Sequence, residues 1–309
     1  MTQINYRIGL LWGAIAVLVS CTQVEIQESA PKQEQRTETV FLQIGNAGLS
    51  TVVSRATLNT GGEQIGIFVK EDSEYQVVSN RLFTYNKLKA TWETDNAVLL
   101  RTPVATLGSY YPWKSSRTQP IPMKCQEYTS EEDISAAAFT ADNRNHTVNL
   151  NMKHIYSRLV VTFVKGTGVN AYHGDAKVTA FSLKGDGVNA EAFFDLFTGT
   201  QLKAPDKPIE WKDIDYQADH ATKKAMDCLI VPTSLDGTLT FGATVDAKPM
   251  EGTVSAAALC GTGKKLEAGK QYKLTLTVNP TGLEVSSLQV VDWDVIQMND
   301  ATDPFKPEK

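Results

Sequence analysis

From residue 39 onward the chain alternates apolar and polar residues in short runs. This is the period-2 pattern of half-buried strands, not the 3.6-residue period of helices. Residues 39–56 (TVFLQIGNAGLSTVVSRA) set the pattern. Val40, Leu42 and Ile44 oppose Phe41 and Gln43, and Leu49, Thr51 and Val53 oppose Ser50, Val52 and Ser54. Between the halves, Gly45-Asn46-Ala47-Gly48 allows either a kink in one long strand or the turn of a small hairpin. Further strands are expected at 65–69, at two places within 75–84 around Asn80-Arg81, and at 88–92, 98–101, 104–107, 148–152 and 159–164. The second half continues with 178–183, 193–197, 209–211, 226–231, 239–245 and 252–257. In 271–278, Tyr272, Leu274, Leu276 and Val278 face inward; Asn279-Pro280-Thr281-Gly282 turns the chain, and 285–296 is the last extended piece. Only 130–139 (SEEDISAAAF) reads as helical, with Ser130 as cap and acids in the first turn. The pattern predicts an all-β protein with few short helices, and 309 residues suffice for two ordinary domains. The polar break DNRNH at 142–146 marks a boundary near residue 145, giving β-sandwiches over 56–145 and 146–309.

The N-terminus departs from this pattern. Arg7 precedes an apolar run from Ile8 to Val19, too short to span a bilayer, so residues 1–21 read as a signal peptide. The run ends in Leu18-Val19-Ser20-Cys21, which matches the bacterial lipobox. There a small residue before cysteine lets a lipoprotein signal peptidase cut once the thiol is diacylated. Cys21 is therefore the expected lipidation site and first mature residue, with its acyl chains in a membrane leaflet. Residues 22–38 are rich in Gln and Glu and form a flexible tether, so that 22–55 is tether plus first strand. Thirty basic against 35 acidic residues give a net charge of −5, which argues against a nucleic-acid surface. The other cysteines, Cys125, Cys228 and Cys260, have no metal-ligand spacing and read as buried, inert thiols.

Catalytic spacings are absent: there is no HExxH, GxSxG, Walker loop or EF-hand loop. His146, His154, His173 and His220 are scattered, none with a second ligand three or four residues on, so surface or turn histidines are expected. Asp292 and Asp294 flank Trp293, as at a solvated strand edge. Tyr110-Tyr111-Pro112-Trp113 reads as core packing in preference to an aromatic platform for a sugar. No enzyme, cofactor or metal site is expected.

Several of these segments resemble the fimbrillins, pilin-like lipoproteins of Bacteroidota. They are the lipobox at Cys21, the polar tether, SRAT at 54–57, GEQIGIFV from Gly62, YYPW at Tyr110, NMKHIYSRLVVTFVKG from Asn151 and AGKQYKLTLTVNPTGLEVSSLQVVDWD from Ala268. The resemblance implies two tandem transthyretin-like sandwiches and export to the outer-membrane surface through the lipid anchor. It also implies an arginine-specific protease that removes the N-terminal strand between Arg55 and Ala56. A strand from another fimbrial subunit would then fill the groove and polymerise the subunits, with 285–298 as candidate donor. Arg36 is a second exposed arginine upstream, so sequence alone leaves two cleavage sites open. The alternative is a monomeric lipid-anchored surface protein that binds a glycan or host ligand.

Overall fold

The structure, a computed structural model, describes residues 39–50, 55–202 and 205–293. In the first half the strands are β1 (Val40–Phe41), β2 (Gln43–Ser50), β3 (Arg55–Thr57), β4 (Gln64–Val69), β5 (Val78–Asn86), β6 (Thr91–Glu93), β7 (Leu99–Leu100), β8 (Ala105–Tyr111), β9 (Ile121–Lys124), β10 (Gln126–Glu127) and β11 (Ser135–Ala141). There follow β12 (Thr147–His154), β13 (Ser157–Lys165), β14 (Lys177–Asp186), β15 (Glu191–Asp195), β16 (Thr200–Leu202), β17 (Ile209–Gln217) and β18 (Ala225–Ile230). The last are β19 (Thr233–Ser234), β20 (Asp236–Val245), β21 (Lys248–Ser255), β22 (Lys265–Leu266), β23 (Lys270–Asn279) and β24 (Gly282–Asp292). One α-helix, α1 (Ala256–Cys260), is present among the described residues, capped by Ser255, whose hydroxyl accepts from the Ala258 N–H at 3.1 Å. The all-β expectation holds.

An eight-stranded sheet in the order β3-β2-β12-β11-β8-β4-β5-β6 carries the first core, and Val40 pairs across β1 with Leu100 of β7. Its inner face buries Leu42, Ile44, Leu49, Ile65, Ile67, Phe83, Leu107, Leu150 and Met152. A five-stranded sheet, β10-β18-β13-β23-β24, faces a four-stranded one, β17-β14-β20-β21. Between them Phe163, Phe181, Phe241 and the inward row Tyr272, Leu274, Leu276 and Val278 form the second core. A third cluster joins residues from both halves, among them Tyr110, Ile121, Tyr156, Leu229 and Trp293. β12 lies in the first sheet; the chain touches the five-stranded sheet at its edge through β10 and returns to it at Ser157.

Three local expectations are corrected. The stretch expected to be helical at 130–139 is turn and then strand. β11 lies between β8 and β12, pairing Ala138 with Gly108 and Ser135 with His154. Alanine's helix propensity is a weak preference, overridden here by a ladder on both edges. Small residues also suit the site, because Leu196 packs so closely over Gly108 that a Cβ there would meet Leu196 Cβ at 2.5 Å. Residues 75–84 are not two strands around a turn at Asn80. They hold one strand only, beginning at Val78, bulged where Asn80 takes φ 48°, with its amide donating to the Lys114 carbonyl at 2.7 Å and accepting from the Tyr110 hydroxyl at 2.6 Å. The strand expected at 88–92 starts only at Thr91, and Leu88 sits fully exposed in the turn.

Candidate functional site

The N-terminal strand is an integral layer of the first core. β2 runs parallel to β12, from Gln43 beside Thr147 to Leu49 beside Met152, more than 100 residues away in sequence. Leu42, Ile44, Ala47 and Leu49 are 1–7% exposed, whereas Phe41, on the opposite face, is 60% exposed. Burying each of the three large aliphatic side chains is worth roughly 1.5–3 kcal/mol. Set against a typical net stability of about 5–15 kcal/mol, this strand is a large part of what holds the lobe together. The backbone adds to it: Gln43 N–H donates to the His146 carbonyl and Leu42 N–H to the Val98 carbonyl, both at 2.8 Å.

Of the two geometries open to Gly45–Gly48, the structure takes the kink. Gly45 and Asn46 together oppose Asn149, a bulge that restores the inward phase at Ala47. Asn149 Oδ1 accepts from the Asn46 N–H at 2.9 Å and occupies the space a Cβ on Gly45 would need, 2.7 Å away. Asn149 was not singled out by sequence reasoning, since an asparagine on the outer face of an alternating strand carries no signal.

Arg55 opens β3, which folds back antiparallel on β2, pairing Ser50 with Arg55, Leu49 with Ala56 and Gly48 with Thr57. The Leu58 N–H then donates to the Ala47 carbonyl at 2.9 Å. β2 therefore lies between β12 and the segment that begins at the Arg55–Ala56 bond. The side chains of Arg55 and Ala56 lie outside the described residues, as do residues 51–54, Arg36, the tether and Cys21.

The C-terminal strand is held differently. β24 pairs with β23 alone and is an edge of its sheet, with Ser286, Ser287, Gln289 and Val290 exposed. Its end is clamped. Trp293, only 2% exposed, stacks on His154 with ring centroids 4.2 Å apart at 6°, and meets Tyr128 edge-on at 5.9 Å. The Arg158 guanidinium lies 4.1 Å from the Tyr128 ring centre and 5.6 Å from that of Trp293, and is bound through both arms by Asp227. Burial works against the Arg158 charge, but Asp227 more than offsets it and holds its pKa above the usual value. His154 Nδ1 lies 2.7 Å from Asp133 Oδ1. His154 is thus a buried histidine, not the surface or turn residue expected, and the clamp was missed. The available signal was a tryptophan closing a strand otherwise rich in Ser, Gln and Val. Of the candidate donor 285–298, residues 294–298, with Asp294, lie outside the described residues.

The remaining candidates are structural. Asp292 is tied to Lys270. Tyr110 is fully buried, and Tyr111 and Trp113 pack against the first and third clusters. Burial pushes the thiols of Cys125 and Cys260 up to about 12 and that of Cys228 well above its ordinary value, so all three stay protonated and inert at neutral pH. Among the described residues, no group of three or more His, Cys, Asp or Glu side chains is placed to hold a metal ion, and no helix is long and apolar enough to cross a membrane.

Comparison with curated protein sequences returns no match. Solved structures share the architecture at low identity. A candidate cell adhesion protein from Bacteroides uniformis superposes with a TM-score of 0.53 at 18% identity, over 83% of this chain and 99% of that one. Another from Bacteroides ovatus gives 0.53 at 13% identity, over 84% and 100%. A fimbrial tip protein from Porphyromonas gingivalis gives 0.45 at 10%, over 83% and 100%. The sequence profile of fimbrillin-like proteins matches residues 51–293, and with most of its length matched, this chain belongs to the fimbrillin-like family.

Proposed function

We propose that the protein is a fimbrial subunit made as a surface lipoprotein and assembled by strand exchange. Membership of the family supports a structural, non-enzymatic subunit at the cell surface that associates with other fimbrial subunits. In the finer reading, lipid on Cys21 anchors the precursor in the outer membrane and an arginine-specific protease cuts between Arg55 and Ala56. The first lobe, whose sheet includes β12, then loses β1 and β2, while the second lobe stays whole. Cleavage exposes the edge of β12 and the apolar floor once covered by Leu42, Ile44, Ala47 and Leu49. An extended strand from another subunit, with 285–298 as the candidate, restores both ladder and core. Hydrolysis is irreversible, so assembly runs in one direction.

The observation that carries this reading is the position of β2. It is a buried strand flanked by neighbours on both sides and joined to the rest of the lobe through the Arg55–Ala56 segment. N-terminal sequencing of the protein from cell surfaces tests it, alongside low-dose digestion of the purified precursor with a trypsin-like protease. Ala56 as the first residue, followed by high-mass ladders on a denaturing gel, is expected. A surface protein that keeps residues 22–55 and stays monomeric overturns the scheme in favour of a lipid-anchored monomeric binder. A first residue just after Arg36 would leave β2 in place and overturn the strand-removal step.

A further inference from the structure

A groove beside the first core plays no part in assembly as described. β6 is three residues long and pairs only with Thr84–Asn86 of β5, so the edge of β5 from Ser79 to Leu82 has no strand beside it among the described residues. The chain leaves β6 through Thr94, Asp95 and Asn96. Between this loop and the open edge lies a groove of about 760 Å³, whose lining includes Ser79, Arg81, Thr84, Trp92, Thr94 and Asp95. That volume is within the roughly 300–1,000 Å³ of small-ligand sites. The lining is not that of an apolar pocket: hydroxyl, amide, carboxylate and guanidinium groups dominate, with Leu82 and Trp92 as the apolar members.

The groove is rigid where it matters. The bulge at Asn80 is pinned by bonds from its amide to the carbonyls of Lys114 and Ser115, and by the Tyr110 hydroxyl. Arg81 follows directly and pairs with Ile67 in the ladder. Trp92, 8% exposed, packs against Tyr85 with ring centroids 5.4 Å apart.

Two charged groups in this groove lack partners. Arg81 is half-buried and its side chain makes no ion pair or hydrogen bond among the described residues; its Nε is shut off from solvent with no acceptor. Asp95 is exposed and equally unengaged. Glu93, by contrast, is neutralised by Lys89 at 2.6 Å and bonded by the Asn86 amide at 2.9 Å. A half-buried guanidinium without an acceptor has lost hydration with nothing in return. An oxyanion entering the groove would gain a charge-assisted, two-pronged bond. The Asp95 carboxylate and the Asn96 amide, which line the same groove, suit adjacent hydroxyl groups. We propose that the groove binds an acidic saccharide, with the sugar carboxylate on Arg81 and ring hydroxyls on Asp95 and Asn96. The other occupant that an open edge admits is an extended peptide added to β5. With only two apolar lining residues the groove offers such a strand few side-chain pockets, which favours the sugar. The net charge of −5 opposes unspecific attraction to polyanions, so affinity must come from the groove itself. This inference is independent of strand processing.

The test applies the purified chain to printed oligosaccharides, with sialate- and uronate-terminated members beside neutral counterparts, and titrates the positives by calorimetry. Acidic members are expected to bind at physiological salt. Arg81→Gln weakens binding at least about tenfold, the equivalent of one charge-assisted bond, and Asp95→Asn weakens it several-fold, both with unchanged thermal midpoints. Arg81→Lys keeps the charge but not the fork and falls between, which gives a second reading should Arg81→Gln fold poorly. Failure to bind any acidic saccharide, equal binding of neutral members, or affinity indifferent to Arg81→Gln, Arg81→Lys and Asp95→Asn overturns the proposal. So does an extended peptide that occupies the groove regardless of Arg81.

Discussion

Strands β2 and β24, near the two ends of the described chain, are fastened by different means. β2 has a strand on each side and three buried residues on its inner face, with Leu42 just before it, so its hold is distributed along its length. β24 is laddered to β23 alone and leaves Glu284, Ser286, Ser287, Gln289 and Val290 exposed, with Leu283 buried at its start and Trp293 just past its end. Removing β2 opens an apolar trench that water cannot fill favourably, and only another strand can repair it. Freeing β24 needs release of the aromatic clamp at Trp293 and also withdrawal of Leu283, Val285 and Leu288 from the second core, before its ladder to β23 can be undone from the edge. The two strands thus differ in what their removal would leave: a vacancy in the first core for β2, an uncovered edge of β23 for β24.

This contrast can be broken at several points. Cutting after Arg55 and removing residues 1–55 should have the largest effect, upward of about 5 kcal/mol on the first lobe. In amide hydrogen exchange, β11 and β12 should lose protection while β13, β20 and β23 keep theirs, and a synthetic peptide of residues 39–50 should restore it. Uniform loss over both halves would mean that the lobes do not respond separately.

Next comes Trp293→Ala, which empties the clamp and should cost about 3–5 kcal/mol by urea denaturation. A cost below about 1 kcal/mol would show that the β23 ladder, not the clamp, holds β24. Along the two strands, Ile44→Ala should cost about 2–5 kcal/mol. Val290→Ala, at a position 41% exposed, should change stability by no more than about 0.5 kcal/mol. Comparable values would erase the distinction between distributed and terminal hold. A modest shift is expected from Gly45→Ala, which displaces Asn149 Oδ1 from its bond to Asn46 at a cost of about 1 kcal/mol. Pairing it with Asn149→Ala should remove the added clash, so a double variant as weakened as the sum of the singles would argue against the bulge contact.

Much of the fold was legible because alternation is written locally. The inward rows of β2 and β23 follow directly from Leu42, Ile44 and Leu49 and from Tyr272, Leu274, Leu276 and Val278. The turn at Asn279–Gly282 follows from its residues, and Cys228 was recognisable as buried from its apolar neighbours. Legibility failed where a residue's role depends on something distant. Alanines 136–138 have the composition of a helix and become strand only because β8 and β12 flank them. Asn80 has the composition of a turn but sits in a bulge fixed by Tyr110 and Lys114. The partners of Trp293 come from positions 128, 154 and 158, which no spacing near residue 293 reveals.

The sequence by itself determined that this is a β protein, which residues face inward along its best strands, and that an arginine follows the first of them. The first two properties depend on neighbours two residues apart, within reach of the backbone's own geometry, and the third is read directly. Only the tertiary structure decided that β2 lies parallel to β12 and completes the first core, that its glycines make a bulge, and that the last strand ends in a stacked histidine and tryptophan. Those outcomes were chosen by burial and pairing between segments 100 residues apart or more, and alternation alone is satisfied equally well by many other partners.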